Sequence, residues 1–287
     1  VTFCCGAANV GLFKPKAEIQ MSENAENLRN LLEDAEAEYL FDRVSALLEM
    51  PSNPYGADVF GNLNQRRFLV AKSTSPMNNR ICGFDIDGDK LPTEEISRFA
   101  QAGATVHLPV IGAPKDIKKR AEDFGIRALR GWTQGQFCAE LKDLPESDGT
   151  DRTRLLTADG LDDFVKIHSG AFRYSGANLD ITLYMIRGLL SQGRAEAYAV
   201  DEDGAPVAIG LIYFATNQTG YLATAATTRA ARKRGAHSAL ISRRIEAARE
   251  NGCKRVSSTA LLSSQSCRNL KRAGLYQSYV QSLLVLQ

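Results

Sequence analysis

The densest chemistry in the sequence lies in Thr227–Ile241, TTRAARKRGAHSALI. Arg232, Lys233 and Arg234 precede Gly235, and an apolar helical stripe of Leu240, Ile241, Ile245 and Ala248 follows it. A helix start leaves backbone N–H groups unpaired and carries partial positive charge, so it receives anions. Glycine lets a backbone approach a phosphate with no Cβ in the way. Adjacent cationic side chains add charge-assisted bonds to the same group. The pattern predicts a diphosphate seat made by Arg232–Gly235 with Ala236, His237 and Ser238 at the helix start. It matches neither the G-x-x-x-x-G-K-[ST] phosphate loop nor the G-x-G-x-x-G dinucleotide turn. The plain alternative is a solvated basic turn. Without interleaved aromatic residues, the segment does not describe a nucleic-acid face.

Such a seat needs a strand in front and a helix behind. Tyr221–Thr227 reads as the strand and Ser238–Asn251 as the helix, closed by Gly252. Ala197–Val200 and Val207–Phe214 are strands joined at Asp203-Gly204. Arg255–Leu262 is a strand, Ser264–Ala273 a helix stopped by Gly274, and Tyr276–Leu286 a last strand. The first half repeats this order after a long helical pattern over Glu23–Met50. Phe68–Ala71, Ile81–Ile86, Val106–Ile111 and Gln136–Leu141 read as strands. Thr93–Ala102, with Thr93 as its N-cap, and Lys115–Phe124 read as helices, followed by Gly103 and Gly125. Gly252 and Gly274 lie 22 residues apart, as do Gly103 and Gly125. Shared spacing and shared element order predict a duplicated α/β unit, with Glu146–Asp151 as linker.

Composition sets the outer bounds. In 287 residues, 35 Lys and Arg face 33 Asp and Glu, so no strong global field points to nucleic acid or a membrane surface. With 44% hydrophobic and 24% charged residues the chain reads as globular. No apolar run is long enough to span a bilayer. Lys14 and Lys16 follow the mildly apolar Val1–Phe13, where a signal peptide would have them before it. Residues 1–20 read as an extension, with Met21 as a natural start. Six scattered cysteines, none in a C-x-x-C pair, suggest neither a zinc site nor a disulfide frame and fit a reducing cytosol. The expectation is a cytoplasmic protein, monomer or homodimer, with no metal.

Arg232-x-x-Gly235-Ala236-His237 resembles the pyrophosphate loop of the GCN5-related N-acetyltransferases (GNAT), Q/R-x-x-G-x-G/A. Ser266-x-x-Asn269-Leu270-x-Arg272-x-Gly274-Leu275 resembles that family's second helix, which ends in a Gly-Phe pair. His237 and Leu275 depart from the pattern. The resemblance implies two tandem GNAT-like mixed-sheet halves with flanking helices, a degenerate half at 21–145 and an acetyl-CoA-binding domain at 151–287. It implies acetyl-CoA as cosubstrate and a primary amine as acceptor. The pantetheine arm would lie between two splayed strands against the backbone of Ala226, Thr227 and Thr228. Ser266 and Asn269 would contact the cofactor, although Ser266 also reads as a helix cap.

Moving the loop back by 149 residues, the offset between the glycine pairs, lands on Gly83–Gly88, GFDIDG, with Asp85, Asp87 and nearby Asp89 where cations stand in the second half. Carboxylates repel a diphosphate, so the first half is expected to bind no CoA and to form one wall of the acceptor site. The family's frequent acid, a Tyr, is replaced by Leu270, and its frequent Asn by Ser263. That leaves Glu196 and Tyr221 as candidate bases by position alone. Tyr276 is a candidate acid or an ordinary strand residue. Phe172-Arg173-Tyr174 is a candidate acceptor contact or an exposed turn. His107 and His168 read as structural. The missing Tyr keeps a second reading open, a non-catalytic acyl-CoA-binding module.

Overall fold

The strand patterns of both halves merge into one sheet in the computed structural model, which describes residues 16–61, 66–88, 90–146 and 152–286. The chain runs α1 (Lys16–Leu48), β1 (Ala57–Phe60), β2 (Arg67–Val70), β3 (Arg80–Ile81), α2 (Thr93–Gln101), β4 (His107–Ile111), α3 (Pro114–Asp123) and β5 (Ile126–Glu140). It continues through β6 (Thr153–Leu155), α4 (Leu161–Phe172), α5 (Ala177–Ser191), β7 (Ala195–Glu202), β8 (Ala205–Phe214) and β9 (Thr219–Thr227). It ends with α6 (Ala236–Glu250), β10 (Arg255–Leu261), α7 (Gln265–Arg272) and β11 (Tyr276–Leu286).

The eleven strands lie in the order β1-β2-β3-β4-β11-β5-β10-β9-β8-β7-β6. From β1 to β7 this order is palindromic about the β11–β5 pair: β4 answers β10, and β3 answers β9. Each half therefore gives its last strand to the other. β11 pairs antiparallel with β4, and β5 pairs antiparallel with β10. The pairs β3–β4 and β9–β10 are both parallel. All four matched glycines adopt positive φ, +69° and +67° at Gly103 and Gly125, +69° and +93° at Gly252 and Gly274. Asp203 and Gly204, both at positive φ, make the two-residue turn between β7 and β8.

Three elements differ from the sequence pattern. The strand expected over Ile81–Ile86 stops at Ile81, because the Cys82–Gly88 segment turns away on the Asp85 side chain, which accepts from Asp87 N at 3.0 Å. Thr93 is the first helical residue rather than the N-cap, a place taken by Pro92. β5 begins ten residues before Gln136 and runs for 15 residues. Its charged and glycine-containing first part has no apolar alternation, and pairing with β11 supplies the order instead. Helix α1 begins at Lys16, inside the segment set apart as an extension. Asp89 and most of the expected linker, 147–151, lie outside the described residues, as do Cys4 and Cys5.

Helix α1 buries Ala35, Tyr39, Leu40, Val44 and Leu47 against α4, α5 and the β7–β9 face. Each of the buried Leu and Val side chains contributes about 1.5–3 kcal/mol. A second cluster seats α6 and α7 on β8–β10, and a third seats α2 and α3 on β4. The sheet thus holds α1, α4 and α5 on one face. On the other, α6 is set so that its N-terminus meets the end of β9.

Candidate functional site

Strands β9 and β10 are paired only from Thr219–Arg255 to Tyr221–Ser257. Beyond that row β9 continues to Thr227 along β8, and β10 continues to Leu261 along β5. A gap therefore opens between them. Two hydroxyls cross its closed end: Ser258 Oγ donates to Leu222 O at 2.7 Å, and Tyr221 Oη meets Thr259 Oγ1 at 2.9 Å. At the same level Ala223 and Thr224 of β9 oppose the single residue Leu211 of β8, a β-bulge. A bulge leaves backbone groups outside the ladder. One of them, the Leu211 carbonyl, accepts from Arg244 Nη1 at 3.2 Å.

Arg244 is a residue that motif reading missed. It sits on the apolar face of α6, 2% exposed, and burial lowers its pKa to about 10. Its position between Leu240 and Ala248 on the helical stripe was the available signal.

Past Thr227 the chain turns into the cationic loop. Lys233 has φ +67° and Gly235 +85°, so the backbone reverses twice just before α6. Ala239 N donates to Gly235 O at 3.0 Å, the first bond of the helix. Arg232, Lys233, Arg234, Gly235 and Ser238 are exposed, while Ala236 is buried. Arg234 ion-pairs with Glu202 at 2.8 Å. Arg152, outside the motif, pairs with the same carboxylate at 3.6 Å and donates to Arg234 O at 3.2 Å. Among the described residues Arg232 and Lys233 have no acidic partner. A Cβ on Gly235 would lie 3.3 Å from Arg152 Nη1, on a backbone that L residues rarely adopt.

His237 is turned toward α7. Its Nδ1 lies 2.9 Å from Asn269 Nδ2, and Asn269 Oδ1 accepts from Gln265 and Arg272. Burial, with Arg244 nearby, lowers the His237 pKa to about 4, so at neutral pH Nδ1 accepts from the Asn269 amide. Ser264, not Ser266, caps α7, accepting from Cys267 N at 3.1 Å. Ser266 lies in the first turn, partly exposed.

The structure thus brings Ala226, Thr227 and Thr228, the Arg232–Ser238 loop, and the α7 residues Ser266 and Asn269 to one end of α6. Glu196 is elsewhere. Its carboxylate receives the Tyr198 hydroxyl and lies 3.5 Å from Asn251 Nδ2, past the C-terminal end of α6. The 15-residue helix puts about 22 Å between that end and the loop. Tyr276 is opposite Cys138 on β5, which in turn is opposite Ser257, so two strand steps of about 4.8 Å separate it from β10. Tyr221 does line the gap, but burial raises its pKa well above 10. Arg173 ends α4 at φ +59°, and Tyr174 Oη meets Ser75 Oγ at 3.0 Å, so this turn touches the first half. His107 Nδ1 lies 3.1 Å from Asn79 O, and His168 stacks on Phe164. Among the described residues no group of three or more His, Cys, Asp and Glu could hold a metal ion. None of the described helices is long and apolar enough to cross a membrane.

A gap between parallel strands beside a cationic loop at a helix start is an anion seat with a slot attached. Residues 161–277 match the Acetyltransferase (GNAT) family. This segment, less than half of the chain, is similar to that family. The match runs from α4 to the start of β11 and so contains the gap, the loop and α7. No curated protein matches the chain.

Among solved structures, a GCN5-related N-acetyltransferase from Kribbella flavida has a TM-score of 0.59 at 14% identity, covering 87% of this chain and 94% of its own. A putative acetyltransferase from the GNAT family of Novosphingobium aromaticivorans gives 0.52 at 18% identity, with 85% and 96% covered. A functionally unknown conserved protein from Staphylococcus epidermidis gives 0.58 at 12%, with 81% and 94% covered. At these identities the likeness is one of fold, and it extends over the GNAT segment and the half before it.

Proposed function

We propose that this protein transfers an acetyl group from acetyl-CoA to a primary amine. The single observation that carries this reading is the opening of β9 from β10 past Tyr221–Ser257, immediately beside the Arg232–Gly235 loop. The diphosphate would sit on the backbone N–H groups at the start of α6, with Arg232 and Lys233 supplying charge. The pantetheine arm would enter the gap against Ala226, Thr227 and Thr228. Asn269 meets the His237 ring, and Ser266, one turn before it on α7, would contact the cofactor. A backbone N–H near the Ala223–Thr224 bulge would polarise the thioester carbonyl.

The amine nitrogen then forms its bond to the carbonyl carbon, the C–S bond breaks, and the amine's surplus proton passes to water. CoA leaves as a thiolate, since a free thiol ionises near pH 8.5. Holding the two reactants together is the main contribution. In this reading residues 151–287 bind the cosubstrate. Residues 21–145 bind none, because Asp85 and Asp87 occupy the matching loop.

The test is an amine panel assayed by thiol release with acetyl-CoA present. Amine-dependent thiol release, with the log rate climbing toward each acceptor's own pKa, supports the reading. CoA binding without amine-dependent release from any member assigns the protein instead as an acyl-CoA-binding module.

A further inference from the structure

Helix α6 carries a charge on the face it buries. Leu240, Ile241, Ile245, Ala247 and Ala248 pack there, and Arg244 lies among them, 2% exposed. Among the described residues no carboxylate pairs with its guanidinium. Burial alone lowers its pKa, to about 10, so it stays charged at neutral pH. An unpaired buried charge is costly, and a leucine or methionine would pack here without that cost. Charges kept at such a cost gather at functional sites.

What the guanidinium holds is the β-bulge beside the gap. Nε donates to Leu240 O of its own helix at 2.9 Å, and Nη1 donates to Leu211 O at 3.2 Å. The direction of the Leu211 carbonyl follows from the ladder. Phe214 N donates to Arg194 O on the β7 side, and backbone groups alternate along a strand, so those of Leu211 and Tyr213 point toward β9. Leu211 O is therefore aimed at Ala223 and Thr224, the two residues that face it across the bulge. Arg244 occupies that acceptor from the α6 side. Room for the guanidinium comes from Gly210, where a Cβ would stand 3.1 Å from Nε and 3.3 Å from Cζ. A glycine inside a strand marks such close approaches.

We infer that Arg244 is a positioning residue for acetyl transfer: by holding Leu211 O it keeps the bulge of β9 open, so that a backbone N–H at Ala223 or Thr224 is free to donate to the thioester carbonyl. Its charge, with no counterion beside it, also favours the negative charge that builds on that oxygen. The inference rests on the acetyl-transfer reading, and a measurement without an acceptor keeps the two separable.

That measurement is the infrared stretch of carbonyl-labelled acetyl-CoA bound to the full chain. It should lie lower on wild type than in free solution and return at least halfway to the free position in Arg244→Met. In Arg244→Lys, which keeps a donor and a charge, it should stay near the wild-type position. In turnover Arg244→Met should lose about tenfold to a hundredfold in kcat, with KM for acetyl-CoA little changed, and Arg244→Lys should regain most of the loss. The urea midpoint of Arg244→Met should match or exceed that of wild type, which sets the loss apart from unfolding. Gly210→Ala crowds the guanidinium from the strand side. It should move the stretch and slow turnover in wild type but not in the Arg244→Met background, and it carries the test alone if Arg244→Met does not fold. A stretch that wild type leaves at the free position, or that neither Arg244→Met nor Gly210→Ala moves, overturns the inference, as does a loss confined to KM or a lysine variant no better than the methionine one. If the stretch behaves as expected while no amine releases thiol, the acetyl-transfer reading falls, and Arg244 remains the residue that sets a polarised acyl-CoA.

Discussion

Tyr276 opens β11 with 52% of its surface exposed. Its hydrogen bond with Cys138, and then burial, push its pKa up to about 12, so it stays protonated through the neutral range. Protonated through the neutral range, it is no base there, and it stands two strands from β10. Tyr276→Phe and Ser266→Ala should each keep activity within about tenfold, ~1.4 kcal/mol in barrier. Loss of three decades in Tyr276→Phe with CoA affinity intact would make it the acid after all. An acidic limb near pH 6–7, independent of the acceptor, would point to a tuned base on the enzyme. At this scale the loop was legible, because its chemistry is local: cations, a glycine and a helix start in one run. Arg152 and Glu202 were not. They reach Arg234 from β6 and β7 through the sheet, and no spacing in the sequence encodes that approach. The same is true of the capping hydroxyl, where Ser264 and Ser266 are equivalent until the turn is built.

The helices and the glycine stops were legible because periodicity and left-handed turn residues act within a few positions. Gly103, Gly125, Gly252 and Gly274 all end helices as their spacing predicted. Strand extents were less legible, since the first ten residues of β5 owe their order to β11, which lies far along the chain. Helix α1 shows the same dependence on distant partners. Its Ala46 packs so closely on α5 that a Cβ at Gly188 would sit 2.3 Å from the Ala46 Cβ. Gly188→Val must therefore separate the two helices and should cost about 1–3 kcal/mol. A urea titration reads the effect, and a midpoint unchanged from wild type would mean that α1 and α5 pack less tightly than this.

Across the whole molecule, β11 and β5 exchange places between the halves, so each half's apolar face is completed by the other's last strand. Unfolding in urea should accordingly be one transition, superimposable by tryptophan fluorescence and far-UV circular dichroism. Two separated transitions would show halves that stand alone. The glycine-ended helices were readable from their spacing, but the pairing of β5 and β11 was not, because either pairing of the last strands satisfies the same alternation. The exchange also sets the β9–β10 gap, with its cationic loop, on the same sheet as the strands of the first half. The most direct test of that account is a calorimetric comparison of CoA with pantetheine, which lacks the diphosphate, on wild type and Arg232→Ala. The account predicts that CoA binding weakens by about 1.5–3 kcal/mol, the worth of one charge-assisted bond, while pantetheine binding is unmoved. Wild-type CoA affinity in Arg232→Ala, or an equal loss for both ligands, would contradict it.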